Sequence, residues 1–359
     1  MVKAFLAYWI VAVPVASILL LGVALYLPLN PVLALACVTA LMAVVVAAVH
    51  HAEVVAHRVG EPFGTLVLAL AITVIEVALV VSMMLAGGTE KATLARDSVY
   101  SAVMIICTGV VGACVLAGAL RHREQSFRIE GAGPALAALV TLATIVLILP
   151  VFTTSAPGPR YSKTQLAFSA LASLSLWALF VFVQTIRHRD YFLPPDAADA
   201  ALHAAPPTLR QARGSFALLF VSLVAVVGLA KALSPSIESA VDAAGAPQAV
   251  IGVAIAALVL LPEASAAVRA ALANRLQTSM NLALGSALAS IGLTIPAVAL
   301  ASVMLGLPLV LGLDAKDLVL LVLAFLVSTI TLASGRTNLM QGAVHLVIFA
   351  AFLFLTLVP

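Results

Sequence analysis

The chain has 359 residues, 64% hydrophobic and only 9% charged, with a mean hydropathy of +1.20. A soluble domain carries roughly a quarter charged residues, so no soluble core could hide this much apolar surface, and the bilayer must act as the solvent. The formal net charge of +3 is small and its basic residues are scattered among short loops, which excludes a nucleic-acid partner.

A spanning helix needs about 20 largely apolar residues. Eleven stretches meet that need, at about 4–26, 32–50, 63–86, 97–120, 133–152, 164–187, 214–232, 247–270, 279–303, 313–334 and 340–358. The expected fold class is therefore an all-α polytopic membrane protein. Lys3 precedes the first run, but that run outlasts a signal-peptide core and lacks a small-residue cleavage site. Cys37, Cys107 and Cys114 lie in apolar stretches without zinc or redox spacing, and read as small interface hydrophobes. The longest connection, about 188–213, carries Pro194, Pro195, Asp196, Pro206 and Pro207 and reads as a linker between two bundles. Asp314, Lys316 and Asp317 read as a solvated loop.

Basic residues set the orientation. Of the 18 Lys and Arg, twelve fall on the side of the N-terminus and six on the other. That expectation places the N-terminus and the linker in the cytoplasm and the C-terminus outside. Short loops and an Ala-rich chain with no organelle address suit a bacterial inner membrane.

Eleven spans divide as one plus five plus five. The extra N-terminal span occupies about 1–31, a first five-helix repeat 32–187, the linker 188–213, and a second five-helix repeat 214–359. Five is odd, so the second half enters from the opposite face. Such inverted repeats are the common plan of secondary transporters, with the substrate site near the midplane. Residues repeat as well: Leu94-Ala95-Arg96-Asp97-Ser98 is similar to Leu282-Ala283-Leu284-Gly285-Ser286, with Ser98 22 positions after Glu76 and Ser286 23 after Glu263.

Glu76 and Glu263 each lie inside an apolar run with no basic residue within a helical turn. A charge at bilayer depth costs at least about 2.5 kcal/mol, and desolvation favours the protonated carboxyl unless a cation stands beside it. Such a group can hold a metal or a proton, which is the chemistry of cation/proton exchange. The alternative is a structural carboxylic acid hydrogen-bonded between helices, less natural for two acids at matching places. Pro262 lacks an N–H and frees a carbonyl one turn earlier, either as an oxygen ligand or merely as a packing kink. Thr73, one turn before Glu76, can offer its hydroxyl to an ion or to its own helix. Asp97, Ser98 and Ser101 in the next span, and Asn281 and Ser286 in the second half, are further candidate ligands. Small hydroxyl residues at this spacing also serve plain helix packing. His50, His51 and His57 lead into the third span and can sense pH or admit protons; the alternative is a solvated loop or interfacial helix end.

Gly60-Glu61-Pro62-Phe63-Gly64-Thr65 leading to Glu76 resembles the first α-repeat of the cation/calcium exchanger superfamily (about 60–112), and Pro262-Glu263 through Asn281 to Ser290 resembles the second (about 250–300). With the His50 to Arg58 run, the chain is similar to the bacterial ChaA-type calcium (sodium, potassium)/proton antiporters over nearly its whole length. That resemblance implies an eleven-span antiporter with one acidic site residue per α-repeat, Glu76 and Glu263, moving Ca2+, Na+ or K+ against H+ and needing no cofactor. Plant and fungal calcium/proton exchangers place Asn three residues before each glutamate, where this chain has Thr73 and Leu260, so calcium selectivity is left open. A sodium-coupled exchanger and a channel are the rivals within transport. A membrane-embedded enzyme is disfavoured, because no Asp-rich Mg2+ motif, His-Glu-x-x-His or Gly-x-Ser-x-Gly is present.

Overall fold

A computed structural model describes residues 2–60, 63–192 and 207–359, with side chains described outside 2–7, 63–66 and 89–90. The run Pro194 to Pro206 of the expected linker, Glu61 and Pro62 lie outside the described residues, as does the Thr65 side chain. Among the described residues eleven helices are long and apolar enough to cross a bilayer. They are α1 Val2–Tyr26, α2 Pro31–Val59, α3 Phe63–Gly87, α4 Leu94–His122, α5 Ile129–Phe152, α6 Lys163–Arg187, α7 Leu209–Ala243, α8 Ala249–Leu272, α9 Leu276–Leu305, α10 Ala315–Ala333 and α11 Leu339–Leu357. Hydrocarbon offers no hydrogen bonds, so a span must satisfy its own backbone, and helices do so. The sheet among the described residues is a two-residue antiparallel pair, β1 Gln125–Ser126 with β2 Arg336–Thr337.

Side-chain caps fix several helix starts. Asn30 accepts from the Leu33 amide ahead of Pro31. Capping boxes open α6 (Ser162 and Gln165), α7 (Thr208 and Gln211) and α11 (Asn338 and Gln341). Two helices outrun their hydrophobic stretches. α2 continues to Val59, so His50, His51 and His57 stand on a helix end. α7 passes Pro235 and ends at Ala243, because its added turns have a partner: Ser234 donates to Glu238 at 3.1 Å, and Lys91 lies 3.5 Å from the same carboxylate. The expectation of a solvated loop at Asp314, Lys316 and Asp317 is corrected. Asp317 sits in the first turn of α10, buried, with Lys316 on it at 3.0 Å, while the exposed Asp314 faces Arg96 at 3.5 Å.

Four spans change pitch part-way, through π-helical turns at Ile105–Val110 in α4, Thr144–Ile148 in α5, Val183–Arg187 in α6 and Ser290–Thr294 in α9. In α5 and α9 the cause is proline. Pro150 and Pro296 follow these turns and have no N–H to return to the carbonyl four residues earlier. The turn in α4 has no proline.

The chain forms two compact units, and neither is one of the two sequence halves. One holds α1, α2, α3 and α7; the other holds α4 to α6 and α8 to α11. In the first, α2 packs on α1, α3 and α7, and Gly228 of α7 leaves room for Leu21 of α1. In the second, α4 is the most enclosed span, packed by α8, α9, α10 and α11. α4 and α8 run parallel. Gly252 of α8 lies against the Asp97 and Ser98 backbone at one end, and at the other His122 reaches the Leu272 carbonyl at 2.9 Å. α9 returns antiparallel to α8 through a tight turn at Asn274, whose φ is +58°. α4 and α9 therefore run in opposite directions.

Candidate functional site

Glu76 lies at the centre of α3, 3% exposed, where the apolar run leaves the helix no charged neighbour within a turn. Thr73, 5% exposed, donates its hydroxyl proton to the Ala69 carbonyl at 2.9 Å. Its oxygen keeps lone pairs for a cation, but its proton is committed to the helix.

Glu263 lies just past the centre of α8, and both its carboxylate oxygens are buried. The helix runs on through Pro262, so the Leu258 carbonyl has no amide four residues on. Parallel register from Gly252 on Asp97 and Ser98 brings Thr108 and Gly109 of α4 to the level of Glu263. Antiparallel register across the Asn274 turn brings Gly285 and Ser286 of α9 to the same level. A side chain added at Gly285 would meet nothing within 4 Å, so open space adjoins this level, and Ser286 beside it is half-buried. By this register Glu263, Ser286 and Thr108 stand at a similar level of three helices, two of which carry π-helical turns. Such turns recur at functional sites because they expose carbonyls and redirect side chains.

The other candidate ligands stand elsewhere. Asp97 is buried in the first turn of α4, where Arg96 donates to it at 2.8 Å and Thr93 at 2.9 Å. Eleven residues at about 1.5 Å each place it roughly 16 Å along the helix from the Glu263 level. Ser98 and Ser101 are buried on the same stretch, at 0% and 2% exposure. Asn281 lies about one turn from Ser286, toward the start of α9; its amide donates to the Phe192 carbonyl at 2.6 Å and its oxygen accepts from Gln277 at 3.0 Å. The histidines divide as well. His51 is buried, its Nε2 3.1 Å from the Ile10 carbonyl; His50 is half-buried beside it, and His57 is exposed.

His345, inside the last span, carries contacts that no sequence feature signals. It is fully buried, with Nδ1 2.7 Å from the Cys107 carbonyl and Nε2 3.0 Å from the Thr331 hydroxyl. Ser290 and Thr294 are buried in the π-helical turn of α9. Pro296 was the signal for that turn; the turn in α4 carries no sequence signal.

A family model described as sodium/calcium exchanger protein matches residues 29–186 and 214–358. Relatives include y4hA of Sinorhizobium fredii, described as an ionic transporter, 51% identical over 88% of this chain and 86% of its own length. The sodium-potassium/proton antiporter ChaA of Escherichia coli is 37% identical over 85% of this chain and 83% of its own. Among solved structures, the H+/Ca2+ exchanger CAX has a TM-score of 0.74 at 15% identity, covering 99% of this chain and 89% of its own, and native YfkE has 0.72 at 20%, covering 98% and 99%. These two likenesses establish a common fold. With the family model spanning both five-helix halves, the chain belongs to the sodium/calcium exchanger protein family, a family of transporters and not of enzymes.

Proposed function

We propose that this protein is a secondary antiporter that exports Ca2+, with Na+ and K+ as alternative cargo, in exchange for protons, and that Glu76 and Glu263 take up both. The observation that carries the reading is one mid-span glutamate in each sequence half, with Glu76 almost fully buried and the Glu263 oxygens enclosed. Supporting it, the 37% identical Escherichia coli relative is named a sodium-potassium/proton antiporter, and a 26% identical protein of Aphanothece halophytica a Ca2+/H+ antiporter.

Charge neutrality explains why exchange would be obligatory. Two bare carboxylates at bilayer depth are costly. Two protons neutralise them, and so does one Ca2+; one Na+ or K+ with one proton does the same. Each neutral form can change access, while the empty, doubly charged form is held back. The ions are cargo, and the scheme needs no cofactor. Ser286, Thr108 and the Leu258 carbonyl would supply further oxygens beside Glu263, and Thr73 beside Glu76. Eleven spans and bacterial relatives make this a multi-pass inner-membrane protein. Its basic residues support a cytoplasmic N-terminus and an external C-terminus, which reporter fusions at the two ends would test.

The deciding experiment is proton flux in everted vesicles on addition of each cation. Wild-type protein is expected to move protons on Ca2+, Na+ or K+ addition, and Glu76→Gln and Glu263→Gln to abolish the response while still inserting. Wild-type flux in either variant would refute the assignment. Flux of Ca2+ that requires sodium and leaves pH unchanged would establish the sodium-coupled alternative.

A further inference from the structure

We infer that His345 is a positioning residue for the ion site: it holds open the proline-free π-helical turn of α4 that packs against the Glu263 helix. The inference rests on the antiport reading for its consequence, and on geometry for its structural part.

A π-helical turn inserts one residue into an α-helix and breaks the regular pairing of amides with carbonyls. In α4 the Val111 amide donates to the Ile106 and Thr108 carbonyls, five and three residues back, and so bypasses the Cys107 carbonyl that it would meet in an α-helix. Cys107 is 1% exposed, so water does not stand in. An unmet buried carbonyl would favour reversion to α-helix. Nδ1 of His345 meets it at 2.7 Å. The Thr331 hydroxyl, 3.0 Å from Nε2, donates there and keeps the proton on Nδ1. One residue further on, the Thr108 hydroxyl donates to Met104 and supports the same turn from inside the helix.

The ring reaches this carbonyl because the two helices meet at glycines. A side chain at Gly112 of α4 would come within 2.9 Å of His345 Cβ, and one at Gly342 of α11 within 2.6 Å of the Leu116 amide. Phe349 closes the contact on Gly109. On its other side the turn packs against α8 and α9, which carry Glu263 and Ser286. An extra residue in a helix rotates everything beyond it by about 100°, so losing the turn would swing Thr108 and Gly109 away from the Glu263 level while leaving the span buried.

The test compares His345→Asn, whose amide can still donate to Cys107, with His345→Leu, which fills the space without a donor, and Gly112→Ala, which pushes the histidine back. Vesicle flux is fitted for half-saturating cation concentration and maximal rate. His345→Leu and Gly112→Ala should raise the half-saturating concentration at least about fivefold with a smaller change in maximal rate, Thr331→Val should raise it less, and His345→Asn should restore it toward wild type. Equal affinity in wild type and His345→Leu would overturn the inference, as would equal loss in the Asn and Leu variants, which marks a general packing role. Deuterium uptake over residues 103–116 in lipid nanodiscs reads the turn without transport. Uptake should rise in His345→Leu and not in His345→Asn, and equal uptake in all three proteins would overturn the structural part. Absent cation-driven proton flux in wild type would instead sink the antiport reading and leave the uptake result to decide about the histidine.

Discussion

The two glutamates hold matching places in the sequence but are built into different surroundings. Glu76 sits in an unbroken α-helix, with a threonine one turn away whose proton is already spent on Ala69. Glu263 follows a proline, stands level with open space at Gly285, and has a π-helical turn in each of α4 and α9, which pack against its helix. The lesson is that two acids at matching sequence positions can stand in helices of different local build. Near Glu76 the sequence offers a threonine oxygen one turn away, and near Glu263 a carbonyl freed by Pro262.

The largest expected effects come from the acids themselves. Glu76→Gln and Glu263→Gln should each lower exchange by at least about a hundredfold, because a neutral amide can neither carry a proton nor balance a cation. Asymmetry appears one step out. Pro262→Ala would supply the missing amide to Leu258 and withdraw a ligand, so cation affinity should fall about fivefold while the melting temperature rises. Unchanged affinity in that variant would break the contrast between the two sites. Thr73→Val should cost about twofold in affinity, since only the lone pairs of its oxygen face the task; a loss as large as that of Pro262→Ala would show that Glu76 depends on side chains more heavily than the geometry indicates. The smallest effect lies at the end of α7. Glu238→Gln leaves Lys91 only Gln248 and should lower stability by about 1 kcal/mol, a modest loss because Glu238 is 28% exposed, with cation affinity unaltered.

Much of this architecture is written in local composition. Eleven apolar runs are visible because a bilayer demands length and hydropathy, and Glu76 and Glu263 stand out because a charge inside such a run is costly. Pro262 likewise announces a lost hydrogen bond. What is not legible depends on partners far along the chain. The extension of α7 rests on Lys91, whose link to Gln248 spans 157 positions. The π-helical turn of α4 depends on His345, 238 positions beyond Cys107, and the run Ile105 to Val110 reads as ordinary helix without it. The grouping of α7 with α1 to α3 comes from packing, and hydropathy is blind to it. Asp97 and Asn281 suit a ligand by type and spacing; their engagement with Arg96 and with Phe192 and Gln277 emerges only from the folded chain.

Proton release from purified protein tests most directly whether metal and proton occupy the same oxygens. In weakly buffered detergent solution near the midpoint of the pH response, adding Ca2+ should acidify the medium as the cation displaces protons from the two carboxyls, approaching two per ion at lower pH. Glu76→Gln and Glu263→Gln should each reduce that release. Saturable cation binding with no change in pH, in wild type and variants alike, would contradict the account.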